Sequence, residues 1–246
     1  MKVRNRLLNF GDNIIYQDDE WFAFSLDSVL LSNFVSVKLT DKKILDMACG
    51  NAPIPMLLTF RTNASIYGID IQKEVIDFGI QSIQENKMDK QISLDVLDIN
   101  NVEDKFSAEF FDVITCNPPY FKYSNNDNIN LNMNKRISRH EVLVNLDTIV
   151  QKASYLLKNG GTFAMVHRPD RLIEIIDVME KYNIAPKKLQ LCYSKVNSNC
   201  NLILIEGNKN GKSGLKILSP VIVHNTDGSY SEEIRKMFGD DNDVAK

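Results

Sequence analysis

The sequence holds no CxxC pair and no cluster of cysteine with histidine: Cys49, Cys116, Cys192 and Cys200 stand apart from one another. A disulfide framework and a structural zinc site are therefore excluded, and no metal is expected. No apolar run approaches the roughly 18 residues that a membrane span takes, so no membrane partner is expected either. The opening MKVRNRLLNFGDN is basic, but its apolar stretch is only the two residues Leu7 and Leu8, too short for a signal peptide. A cytoplasmic location is the expectation, and the glycosylation sequon Asn63-Ala64-Ser65 then carries no weight. Low-complexity composition is absent too. With 11 Gly, 7 Pro, 43% hydrophobic and 25% charged residues, the chain has ordinary globular proportions, which excludes disorder and collagen-like repeats. Its 246 residues suit one large α/β domain, or a core domain with an appendage.

A net positive charge is also absent: 29 Lys and Arg against 32 Asp and Glu leave −3. The distribution is uneven. Residues 135–216 carry 14 Lys and Arg against 7 Asp and Glu, a balance of +7 that leaves −10 for the rest. A positive half on an acidic protein can steer and track phosphates. The same charges could equally be scattered over solvated helices.

From about residue 43 the apolar pattern alternates between strands and helices. Strands are predicted at 43–46, 65–70, 92–97, 111–116 and 162–166. Helices are predicted from 54 to 60, 73 to 87, 143 to 158 (stopped by Gly160-Gly161) and 171 to 182. In the second of these, Ile76, Ile80 and Ile83 are spaced to face a core. Segments 189–193 and 201–205 read as a hairpin. Repeated βα units demand a parallel sheet with helices on both faces. The predicted fold is α/β and Rossmann-like, resembling class I methyltransferases: seven strands, mostly parallel, with an antiparallel C-terminal hairpin. Residues 1–42 form an N-terminal extension on the core, with a helix from Ser28 to Val37. The domain proper covers 43–246 and adds a short strand at 221–224 and a terminal helix. The Asn-rich stretch 122–135 reads as a substrate-contacting loop.

Open α/β sheets bind ligands beyond the carboxyl ends of their strands, and four signals sit at such ends. Asp46-Met-Ala-Cys-Gly50-Asn-Ala is a tight turn whose small residues Ala48, Gly50 and Ala52 permit close backbone approach. Asp70, 24 residues after Asp46 and next to Ile71, suits the two hydroxyls of a ribose, or simply caps a helix. Asp98 is placed to accept from an adenine amino group. The fourth signal, Asn117-Pro118-Pro119-Tyr120, decides the reading. An exocyclic amino nitrogen is a poor nucleophile because its lone pair is delocalised into the ring. Two acceptors on its hydrogens, the Asn117 amide oxygen and the Pro118 carbonyl, favour a pyramidal nitrogen with its lone pair aimed at a methyl donor. Pro118 and Pro119 fix that geometry, and Tyr120 offers a ring on which a flipped-out base can stack.

This order of features resembles the S-adenosylmethionine-dependent amino-group methyltransferases with an NPPY signature. The resemblance places Asp46–Ala52, with Ala48 and Gly50, under the methionine part of S-adenosyl-L-methionine. Asp70 and Ile71 would lie at its ribose, Asp98 at its adenine, and Asn117 between cofactor and target. Ala48 and Ala52 depart from the glycines expected there. Further segments narrow the resemblance: Phe24-Ser25-Leu26-Asp27-Ser28-Val29-Leu30-Leu31, Ser138-Arg139-His140-Glu141, His167-Arg168-Pro169-Asp170-Arg171-Leu172, Pro186-Lys187-Lys188, and Pro220–His224 with Gly228-Ser229-Tyr230-Ser231. Over roughly residues 10–238 these resemble the tRNA1(Val) adenine-N6 methyltransferase family. The implied partner is tRNA and the implied activity is methylation of an adenine N6. Arg139, His140, His167, Arg168 and Arg171 follow the fourth and fifth strands and are the candidate substrate contacts, with Lys187 and Lys188 further out. Rival readings are a protein glutamine N5-methyltransferase and a non-catalytic RNA-binding protein on the same fold.

Overall fold

The computed structural model describes residues 2–18, 25–118 and 145–240. Phe24, Pro119, Tyr120, Arg139, His140, the 122–135 stretch and the first residues of the helix expected over 143–158 lie outside the described residues.

The chain opens with a hairpin of β1 (Lys2–Arg6) and β2 (Ile14–Asp18), paired antiparallel and separate from the main sheet. The sequence pattern gave no sign of it. Helix α1 (Leu26–Phe34) follows, starting two residues earlier than expected. The alternation then runs β3 (Lys43–Met47), α2 (Pro53–Leu58), β4 (Ser65–Asp70), α3 (Lys73–Glu85), β5 (Ile92–Val96), β6 (Phe111–Cys116), α4 (Leu146–Leu156) and β7 (Leu157–His167). Past β7 come α5 (Leu172–Lys181), β8 (Ile184–Lys195), β9 (Cys200–Lys209), β10 (Lys216–Ile217), β11 (Val221–His224) and α6 (Glu232–Met237).

The main sheet has the order β10-β8-β9-β7-β6-β3-β4-β5, with β11 also paired to β8. Its nine strands exceed the seven expected, because β11 and the two-residue β10 both join the outer edge of β8. Strands β3 to β7 are mutually parallel; the central β3 and β6 are almost continuously buried, as a sheet covered on both faces requires, while the edge strand β5 is partly exposed. One face packs under α1, α2, α6 and the N-terminal hairpin, the other under α4 and α5.

Strand β9 lies between β7 and β8 and is antiparallel to both, so β8 and β11 point the same way as β7. The carboxyl ends of β5, β4, β3, β6, β7, β8 and β11 therefore share one rim.

Candidate active site

The turn after β3 is built on left-handed backbone. Ala48, Gly50 and Ala52 have φ of 57°, 54° and 67°. A side chain in that region costs roughly 1–2 kcal/mol, so the two alanines sit where glycine is the unstrained choice. The turn is held regardless. Cys49 N donates to Ile69 O (2.9 Å) and Ala52 N to Cys49 O (2.9 Å). The Asn51 amide donates to Tyr16 O at 2.9 Å, which ties the turn to the N-terminal hairpin. Gly79 of α3 brings that helix onto the Asn51 carbonyl, where a Cβ would lie 3.2 Å from the oxygen.

Asp70 clasps two loops. Its Oδ2 accepts from Gly50 N at 3.0 Å and its Oδ1 from Gln72 N at 2.9 Å, with the residue 7% exposed. Ile71 follows, half-buried. Asp46 is fully buried; Thr115 Oγ1 donates to its Oδ1 at 2.6 Å, and its Oδ2 has no hydrogen-bond partner among the described residues. Burial pushes the Asp46 carboxyl up to about 8; the Thr115 bond opposes this and the charge of Asp70 adds to it. Asp98, at the end of β5, is half-buried, and its Oδ1 accepts from Asn100 N (2.8 Å) and Asn100 Nδ2 (2.9 Å). It caps the short 3-10 turn over Ile99–Asp104.

Strand register brings Asn117 to this turn: Asp46 pairs with Thr115 and Met47 with Cys116, so Asn117 follows level with Ala48. Asn117 is half-buried and Pro118 buried. The Asn117 amide nitrogen donates to Ser28 Oγ at 3.4 Å. Ser28 is 4% exposed near the start of α1, which puts the first turn of that helix against the end of β6. Ser28, Thr115 and Asn51 are contributors to which sequence reasoning assigned no role. The Phe24–Leu31 segment was a signal for the first, since it stands out ahead of the turn.

Two of the candidate substrate contacts are placed otherwise than expected. His167 is 1% exposed, and its Nδ1 accepts from Arg168 N at 2.8 Å. Burial, with the charge of Arg171 adding, lowers it to about 4, so it is a neutral interior imidazole rather than a phosphate ligand. Arg171 forms a two-pronged pair with Glu174, Nε to Oε2 at 3.0 Å and Nη2 to Oε1 at 2.5 Å. Its charge is met inside the protein. Lys188 is likewise internal, paired with the buried Glu206 at 3.1 Å. Arg168 is exposed on the rim, with Nη1 donating to Asn201 O at 3.2 Å. The structure thus unites Asp46, Ala48, Gly50, Asp70 and Asn117 at three adjacent strand ends, with Asp98 one strand further along.

Among the described residues no group of three or more His, Cys, Asp or Glu is arranged to hold a metal, and no helix is long and apolar enough to cross a membrane. Cys49 and Cys116 are buried thiols held well above their usual pKa, chiefly by burial. Neither suits nucleophilic catalysis.

The chain is similar to curated relatives named tRNA1(Val) (adenine(37)-N6)-methyltransferase. That of Phocaeicola vulgatus is 25% identical over 82% of this chain and 83% of its own. That of Cytophaga hutchinsonii is 22% identical over 78% and 79%, and that of Christiangramia forsetii 21% identical over 97% and 98%. Among solved structures, a protein from Agrobacterium tumefaciens described as a predicted O-methyltransferase superposes with a TM-score of 0.70 at 18% identity, covering 87% of this chain and 96% of that one. Geranyl diphosphate C-methyltransferase from Streptomyces coelicolor superposes at 0.55 and 13% identity, covering 74% and 76%. Both likenesses show the fold. Residues 38–218 match the family model described as a methyltransferase domain, and the chain belongs to that family.

Proposed function

We propose that this protein transfers a methyl group from S-adenosyl-L-methionine to the exocyclic N6 of an adenine in tRNA. The observation that carries the reading is the register that sets the Asn117 amide level with the left-handed turn, its nitrogen turned to Ser28. Curated relatives over most of the chain bear the name of that activity.

The residues present fit such a cofactor. The buried Asp46 Oδ2, without a hydrogen-bond partner among the described residues, suits an ammonium group. Asp70, a carboxylate at the end of β4 that already clasps Gly50 N and Gln72 N, has the acceptor chemistry a ribose takes, and the Ala48–Ala52 turn is compact enough for close approach. S-adenosyl-L-methionine supplies an electrophilic methyl on a sulfonium. The chain supplies orientation. Asn117 Oδ1 and the Pro118 carbonyl accept from the two amino hydrogens, which localises the nitrogen lone pair and aims it. The alkylated amino group is acidic enough to release its proton to water. His167 is not that base, because it is buried and its Nδ1 is already engaged by Arg168 N.

Transfer of radiolabelled methyl from the cofactor into unmodified bulk tRNA, followed by nucleoside analysis, tests the reading. Labelled N6-methyladenosine is the expected product. Label in protein instead would favour glutamine methylation, and label in neither would leave a non-catalytic binder.

A further inference from the structure

The segment Gly228-Ser229-Tyr230-Ser231 is not used by the chemistry above, yet its structure is built with care. Residues 225–230 are exposed, and a dense set of short-range bonds fixes them. Asn225 N donates to Ser229 O (2.8 Å), and the Asn225 amide to Ser229 Oγ (3.0 Å) and Tyr230 O (3.2 Å). Ser229 N and Oγ both donate to Asp227 Oδ1, at 2.9 and 2.6 Å. The turn holds Tyr230 stacked on His224, with centroids 5.0 Å apart and an interplanar angle of 23°. His224 is pinned in turn by its Nδ1 at 3.0 Å from Ser194 O, and Phe238 meets Tyr230 edge-on at 4.9 Å. Even so, Tyr230 stays 43% exposed. A ring so rigidly mounted and so open serves packing poorly.

Its position gives the reason. His224 ends β11, whose direction matches β6 and β7, so the pair stands on the same rim as Asn117. The sheet order places β7, β9 and β8 between them, four strand spacings or about 19 Å. Along that rim Arg168 and Lys195 are exposed, and neither is in an ion pair among the described residues. The aromatic pair itself has acidic neighbours. Asp227 is engaged by Ser229, Glu232 pairs with Lys236 at 2.7 Å, and Glu233 is exposed. The exposed aromatic face suits the uncharged face of a base, while Arg168 and Lys195, the latter in register with His224, suit the phosphates alongside it.

We propose that the His224–Tyr230 pair is a stacking platform for an unpaired base of the same RNA whose adenine reaches Asn117. The proposal rests on the tRNA reading above. A rigid aromatic face binds any base with little sequence preference. The platform therefore fixes where the RNA loop lies along the rim rather than which base is modified.

The test uses the full chain, radiolabelled cofactor and unmodified bulk tRNA. Tyr230→Leu keeps apolar bulk against Phe238 but removes the π face. It is expected to raise KM for tRNA about tenfold, with cofactor affinity and Tm unchanged, while Tyr230→Phe behaves as wild type. A Tyr230→Leu variant with wild-type KM overturns the platform and leaves the methyltransferase reading standing. So does a Tyr230→Phe variant as impaired as Tyr230→Leu. If the wild-type protein labels no tRNA, the functional reading fails and the platform with it. Should Tyr230→Leu fold poorly, Tyr230→Trp on a Trp21→Phe background provides a second readout. Quenching of its fluorescence on adding tRNA supports stacking, and unchanged emission under saturating tRNA overturns it.

Discussion

Asn117 can activate an amino group only with its amide oxygen turned toward the substrate, because the opposite orientation would present two donors to two donors. Ser28 holds the amide nitrogen, at a distance long enough to tighten when substrate packs the site. Asn117→Ala should therefore reduce methyl transfer at least a hundredfold while cofactor affinity, measured by calorimetry, stays within a few-fold. Undiminished turnover would remove the mechanism. Ser28→Ala removes that hydrogen bond to the amide and should lower kcat about tenfold at unchanged cofactor affinity, whereas Ser28→Thr, which restores the hydroxyl, should recover most of the loss. Equal impairment of both variants would point to packing rather than orientation. Asn117 is legible in the sequence because its neighbours Pro118 and Pro119 make a local motif. The Phe24–Leu31 segment stands out, but the contact of Ser28 with Asn117 is not legible, since it spans 89 residues and arises only through the docking of α1. His167 misled for a related reason: next to Arg168 it reads as surface, but it is the last residue of β7, buried without a break from Gly161 onward, whereas Arg168 lies beyond the strand end and is exposed.

Helix α1 carries Ser28 at one end, and its other end is anchored by charge. Arg61 donates to Ser32 O and, at 3.0 Å, to Val35 O. Lys188 donates to Phe34 O (3.0 Å) and Ser36 Oγ (2.8 Å), and Ser36 N donates to Glu206 Oε2 at 2.7 Å. Cations at the C-terminal carbonyls complement the helix dipole, and Glu206, 4% exposed, is the buried counter-charge. Glu206→Ala would strand the Lys188 ammonium and free Ser36 N. A loss of about 3 kcal/mol in urea unfolding is expected, with KM for tRNA unchanged; a loss below 1 kcal/mol would mean water replaces the pair. This anchor also explains why α1 ends at Phe34 rather than at the expected Val37: the chain turns extended at Val35, where Arg61 closes the helix. Strands β4, β6 and β11 match their predicted spans because each is a short β-branched or apolar run bounded by polar, glycine or proline residues. By contrast, β10 is two exposed residues, and β1 alternates polar side chains without a continuous apolar face, so neither announces itself.

Across the whole molecule, the basic half inferred from residues 135–216 is partly neutralised by pairing. Lys152 meets Glu103, Lys158 Asp112, Arg171 Glu174, Lys181 Asp147, Lys188 Glu206 and Lys209 Glu109. Charge counts cannot reveal this, because several partners lie far off in sequence. Two buried groups make stability depend on pH with opposite sign. Burial lowers His167 from 6.5 to about 4, so the unfolded chain binds a proton that the folded one refuses. The stability it contributes is full above pH 6.5 and lost toward pH 4, by roughly 3 kcal/mol at most at 1.36 kcal/mol per pH unit. Burial raises Asp46 from 3.8 to about 8, so the folded chain keeps a proton that the unfolded one releases. Its contribution is full below pH 3.8 and is lost as pH rises through 8. Below pH 6.5 the two effects oppose each other. From 6.5 to 8 the titration of Asp46 acts alone within this pair, while the buried thiols of Cys49 and Cys116 stay protonated. The Tm of the cofactor-free protein should therefore fall between pH 6.5 and 8.5, and Asp46→Asn, which keeps the Thr115 bond and cannot ionise, should flatten that fall. An equal slope in wild type and variant would mean that Asp46 is already ionised at neutral pH, with a cation or water on the Oδ2 that lacks a partner among the described residues.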